Sequence, residues 1–141
     1  FPRALEREVG IIARVPLASG LLSGKMTRDQ EFDPQDHRTF NRHGERFDRG
    51  ETFSGVDFET GLAAAEELQT VLPQSQTLAQ FALRFILMHD AVTCAIPGAK
   101  RPEQVTENTA AADLPPLTPE QMQQVQLVYD QYIRSQVHRL W

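Results

Sequence analysis

Ile96-Pro97-Gly98-Ala99-Lys100-Arg101-Pro102-Glu103-Gln104, closing at Glu107-Asn108, decides the reading of this chain. The apolar run before it, Ala91 to Ile96, reads as a short strand. A glycine turn follows, then two adjacent cations, then a proline placed to open a helix. Amide N–H groups at a helix start point outward, the helix dipole favours negative charge there, and Lys100 and Arg101 add full charges. This is the layout of a phosphate site. A second stretch, Pro16-Leu17-Ala18-Ser19-Gly20-Leu21-Leu22-Ser23-Gly24-Lys25, follows another strand-like run over residues 10–15. Together they predict half of a nucleotide site.

Outward from these turns the chain alternates strand and helix patterns. Residues 2–8 predict a helix ending at Gly10, and the consecutive apolar residues of strand 10–15 suit burial on both faces. Residues 26–56 are polar, show no period and read as a long loop, with Arg42, Arg46 and Arg49 as solvated charges. Asp57 caps a predicted helix to Leu72, with Phe58, Leu62, Ala65, Leu68 and Leu72 on its buried face. Thr77 and Gln80 form a capping box for a helix to Met88 that is apolar nearly all round. After strand 92–96 comes a helix over 102–112. Thr118, Pro119 and Gln121 open a last helix with Met122, Val125, Tyr129 and Tyr132 as its buried stripe.

The chain has 141 residues, 40% hydrophobic and 23% charged, an ordinary balance for a folded domain. Its net charge of -5 argues against a general nucleic-acid binder. No apolar run approaches the roughly 18 residues of a membrane span, and no signal peptide is visible. The single cysteine, Cys94, forms no internal disulfide and suits a reducing compartment, so a cytoplasmic protein is expected. His37, His43, His89 and His138 lack metal-ligand spacing, so no metal site is expected. Lys25 is followed by Met26, which excludes a Walker loop. Two buried-type parallel strands cannot make a stable sheet alone. The chain also opens at Phe1 rather than Met. The expectation is a piece of a larger α/β protein rather than a stand-alone fold.

The motifs Ala13 to Lys25, Asp36-His37-Arg38 and Ile96 to Asn108, in this order, resemble the C-terminal portion of an aldo-keto reductase. The branch is that of bacterial reductases and potassium-channel beta subunits. The resemblance implies an α/β fold: the C-terminal part of a (β/α)8 TIM barrel, with residues 10–16 and 92–96 as strands seven and eight and residues 57–72 and 77–88 as their helical connection. It implies one cofactor-binding segment over 1–141, with the N-terminal barrel half absent. The cofactor would be NADPH and the substrate of the complete protein a small aldehyde or ketone. Pro16, Leu17, Ala18, Ser19 and Gly20 would line its pyrophosphate, with Lys25 and Arg38 as cations over it. Gly98, Ala99, Lys100 and Arg101 would hold the 2′-phosphate and ribose. Gln104 would lie against the adenosine, with Asn108 on the adenine amino group and Glu107 beside it. Ala99 departs from the serine of many relatives. The family's catalytic Asp, Tyr, Lys and His belong to the first barrel half, so no catalytic residue is assigned, and Tyr129 and Tyr132 are not recruited. The alternative is a cofactor-binding regulatory subunit with little turnover. Leu140 and Trp141 would pack near a substrate mouth or fray.

Overall fold

A computed structural model describes residues 1–140; Trp141 lies outside the described residues. The elements are α1 (Pro2–Glu6), β1 (Ile11–Arg14), α2 (His37–Phe40), α3 (Phe58–Gln69), α4 (Leu78–Leu87), β2 (Val92–Ile96), α5 (Pro102–Ala110), α6 (Pro119–Val128) and α7 (Arg134–Val137). β1 and β2 pair in parallel, with Ile11 opposite Val92 and Arg14 opposite Ile96. An irregularity after Ile11 leaves Thr93 without a partner in the ladder. Its hydroxyl accepts the Ile11 N–H at 3.1 Å, so the donor is satisfied despite the bulge. α3 and α4 lie between the two strands in sequence, as a parallel crossover requires.

Local signals set most helix ends. Asp57 accepts the Thr60 N–H at 3.0 Å at the start of α3. Thr77 with Gln80 and Thr118 with Gln121 each form reciprocal capping boxes. Helix α1 stops earlier than Gly10 predicts. Val9 N–H reaches the Ala4 carbonyl and Glu8 N–H the Leu5 carbonyl, with Glu8 left-handed at φ 53°. That is a Schellman ending built on a non-glycine residue.

Three further expectations are corrected. The strands are not buried on both faces: Ile12 is 60% and Ile96 53% exposed. Among the described residues each strand pairs only with the other, so alternate side chains have nothing to cover them. The last helical stretch is not one regular helix. A π-turn over Tyr129–Ile133 interrupts it after α6, and Val128 and Val137 are its buried residues. Met122, Val125, Tyr129 and Tyr132 are only half-buried.

The third correction concerns residues 26–56, which are ordered rather than structureless. The segment contains α2 and 3-10 turns at Arg49–Glu51 and Phe53–Gly55. Phe53 packs with Leu21 and Phe58 in the core, flanked by Phe32, Met26 and Ala18. Arg42 is not simply solvated: its guanidinium lies 5.0 Å from the Phe58 ring centre. Arg46 and Arg49 are exposed. Asn41 is fully buried and holds the segment's shape. Its Oδ1 accepts the N–H groups of Arg46 at 2.8 Å and Phe47 at 2.9 Å, and its amide donates to Thr52 at 3.2 Å. Leaving a buried polar group such as the Thr52 hydroxyl unpaired costs about 1–3 kcal/mol. Asn41→Ala should therefore lower Tm by several degrees and speed tryptic cleavage after Arg42, Arg46 and Arg49. An unchanged melt and digestion pattern would remove Asn41 from this role.

Candidate functional site

Parallel pairing brings both predicted turns to one edge. Arg14 and Ile96 are partners at the C-terminal ends of β1 and β2, so Pro16–Gly20 and Pro97–Arg101 leave the sheet side by side. In parallel sheets the edge outside the strand C-termini is where ligands bind.

The turn after β1 is strained. Val15, Ala18 and Ser19 adopt φ of 49°, 48° and 56°, a region that costs a non-glycine residue roughly 1–3 kcal/mol. Gly20 continues the turn at φ 99°, and a Cβ there would meet the Met26 methyl at 2.7 Å. The turn uses the N–H groups of Ala18 and Gly20 internally, on the carbonyls of Val15 and Leu17. Pro16 is buried, while Leu17, Ala18, Ser19 and Gly20 are half-buried. Ser19 ties the turn to the long segment. Its hydroxyl accepts the Phe53 N–H at 3.1 Å and lies 3.4 Å from His37 Nε2.

Arg38 is brought to the same turn. Its Nη1 donates to the Ser19 carbonyl at 3.4 Å, and its guanidinium lies 4.3 Å from the Phe32 ring centre. Its strongest partner is Asp36, which accepts from Nε at 2.9 Å and Nη2 at 2.6 Å. Those hydrogen bonds hold the Asp36 carboxyl far below the usual carboxylate range. A depressed pKa gives stability that is fully present above about pH 4 and is lost as pH falls through the folded value. Phe32 is not singled out by the sequence, and Asp36 enters there only as part of the Asp36-His37-Arg38 motif, with no role of its own. The signal for Asp36 is an aspartate two residues before an arginine at a helix N-cap. Lys25 lies beyond Gly24, is exposed, and has no ion-pair partner among the described residues.

The turn after β2 is held from within. Gln104 Oε1 accepts the N–H groups of Lys100 at 2.7 Å and Arg101 at 3.2 Å. Lys100 and Arg101 are exposed and, among the described residues, form no salt bridge. With Ala99, Pro102, Val105 and Thr106 they line an open groove of about 480 Å³. Gly98 is exposed, and a Cβ there would touch nothing within 4 Å. Glu107 is exposed, its carbonyl accepting from Gln80 at 3.2 Å, and Asn108 is half-buried. No hydrogen bond joins the β1 set to the β2 set among the described residues. A more enclosed hollow of about 210 Å³ lies between α3 and α6 behind Ala18 and Leu21. Its lining is almost wholly apolar and offers no cation. Among the described residues no cluster of His, Cys, Asp and Glu could hold a metal, and no helix is long and apolar enough to cross a membrane.

The pattern of the aldo/keto reductase family matches residues 1–130. The chain belongs to that family. It is 36% identical over 134 residues to L-glyceraldehyde 3-phosphate reductase of Escherichia coli, an alignment covering 94% of this chain and 36% of that protein. Among solved structures it is similar to the glycerol dehydrogenase of Gluconobacter oxydans, with a TM-score of 0.71, 27% identity, and coverage of 94% of this chain and 37% of that one. It is also similar to the holo form of an aldo-keto reductase from Bacillus halodurans, with a TM-score of 0.60, 26% identity, and coverage of 91% and 36%. The chain thus spans little more than a third of the length of these relatives. Its α/β fold is an incomplete part of the family's (β/α)8 barrel, with two adjacent parallel strands and their flanking helices.

The Gln104 contacts generate a prediction about the turn itself. Each bond contributes about 0.5–1.5 kcal/mol. Gln104→Ala should speed amide exchange at Lys100 and Arg101 by up to roughly tenfold, while Gln104→Glu, which keeps an acceptor oxygen, should leave it near the original rate. Exchange unaffected by the alanine variant would mean that the turn is held elsewhere.

Proposed function

We propose that this chain holds the phosphate and adenosine end of NADPH in an oxidoreductase that reduces aldehydes or ketones to alcohols. The observation that carries the reading is the pair Lys100 and Arg101. Both are exposed and without a salt-bridge partner among the described residues, at the start of α5 and at the C-terminal edge of β2. A dianionic phosphate needs charge partners of this kind. The open groove beside them, with Gly98 unobstructed, has room for the group. In this reading Gly98, Ala99, Lys100 and Arg101 take the 2′-phosphate and ribose, with Gln104, Glu107 and Asn108 toward the adenosine. Pro16 to Gly20, Lys25 and Arg38 face the pyrophosphate.

A nicotinamide cofactor held here would supply the hydride chemistry of carbonyl reduction. This chain's contribution is orientation: a strained turn fixed by Ser19, and a second turn fixed by Gln104. The remaining barrel strands and the proton-donating tyrosine would come from sequence outside these residues. The exposed faces of Ile12 and Ile96 support that, as surfaces for neighbouring strands to cover. The free thiol of Cys94 accords with a cytoplasmic setting.

The test is the double variant Lys100→Ala with Arg101→Ala in the whole protein. Charge-assisted contacts contribute about 1.5–3 kcal/mol each, so the Kd for NADPH should rise by roughly two to four orders of magnitude. The Kd for NADH should change far less. Equal changes for both cofactors would overturn the assignment to the 2′-phosphate.

A further inference from the structure

The surroundings of Arg38 carry one step more. A guanidinium presents two edges suited to an oxyanion, the Nε–Nη2 edge and the Nη1–Nη2 edge. The Asp36 carboxylate occupies the first edge, at 2.9 and 2.6 Å. The Phe32 ring covers one face, 4.3 Å from the guanidinium carbon, and the Ser19 carbonyl receives Nη1 at 3.4 Å. Asp36 is itself fixed, because its Oδ1 also accepts the Arg38 backbone N–H at 2.9 Å as the N-cap of α2. Both side chains are about four-fifths buried, with 21% and 20% exposed, so this pair is not a loose surface contact.

We propose that Asp36 is a positioning residue for the cofactor site: it clamps Arg38 so that the Nη1–Nη2 edge, beside Ser19 and Gly20, is the one presented to a pyrophosphate. The inference rests on the reading that Arg38 meets the pyrophosphate. An unclamped arginine loses rotamer freedom when it binds, and a clamped one has already lost it. The sign of the effect separates this role from plain electrostatics. Neutralising Asp36 removes one negative charge beside the anion, and charge alone would tighten binding. Releasing the arginine loosens it.

The experiment is a double-mutant cycle in the whole protein, reading the Kd of NADPH by fluorescence titration. Asp36→Asn suits it because asparagine caps a helix as well as aspartate does. Arg38→Ala should raise Kd at least tenfold, Asp36→Asn should raise it several-fold, and Asp36→Asn should cost nothing further once Arg38 is alanine. No effect of Arg38→Ala would overturn the pyrophosphate reading itself. A large effect of Arg38→Ala with unchanged or tighter binding by Asp36→Asn would leave that reading standing and overturn the clamp. An equal loss from Asp36→Asn with and without Arg38 would also overturn it, because Asp36 would then act only on the folding of α2.

Discussion

Parallel pairing of β1 with β2 is the constraint on which the rest depends. A parallel pair cannot be closed by a hairpin, so the chain must return along the sheet before the second strand begins. Here α3 and α4 make that return. The geometry has one functional consequence: both strands end at the same edge. Two turns far apart in sequence are thereby placed next to each other without any direct hydrogen bond between them among the described residues. Each turn has its own brace instead: Ser19 ties the first to Phe53, and Gln104 holds the second from within.

Those braces are polar, and so is the anchor of the segment between β1 and α3. Asn41 and Thr52 are fully buried in a stretch with little regular structure. A buried polar group stabilises one conformation far more sharply than an apolar one, because any other arrangement leaves donors unpaired. The aromatic trio Phe32, Phe53 and Phe58 supplies the burial. Asn41 then specifies the path, and Ser19 docks that path onto the strained turn.

The same distinction explains what was legible beforehand. Capping boxes at Thr77 and Thr118 and the cap at Asp57 are interactions over three residues, so their spacing announces them. The glycine turn and cation pair after β2 are likewise local. Ser19 to Phe53 spans 34 residues, and Asn41 reaches forward to Thr52 through a loop without period. No periodicity encodes such contacts. Left-handed Val15, Ala18 and Ser19 were equally hidden, since nothing in their side chains favours that conformation. The strands misled for a different reason. Their apolar runs describe burial in a full sheet, whereas the described residues provide only one neighbour for each.

Charge is distributed unequally across the site, and this bears on how an anion would be held. The chain as a whole carries -5, a field that opposes a phosphorylated ligand at long range. Salt screens that field beyond roughly 8 Å at physiological ionic strength, so contacts decide. On the β1 side the half-buried Arg38 is already paired with Asp36. On the β2 side Lys100 and Arg101 have no such partner among the described residues. Two adjacent unneutralised cations therefore stand at the β2 turn, against the single Lys25 on the β1 side. The β1 turn contributes shape: a fixed arginine edge, a strained backbone and a glycine that admits close approach. The parallel register sets the two turns side by side.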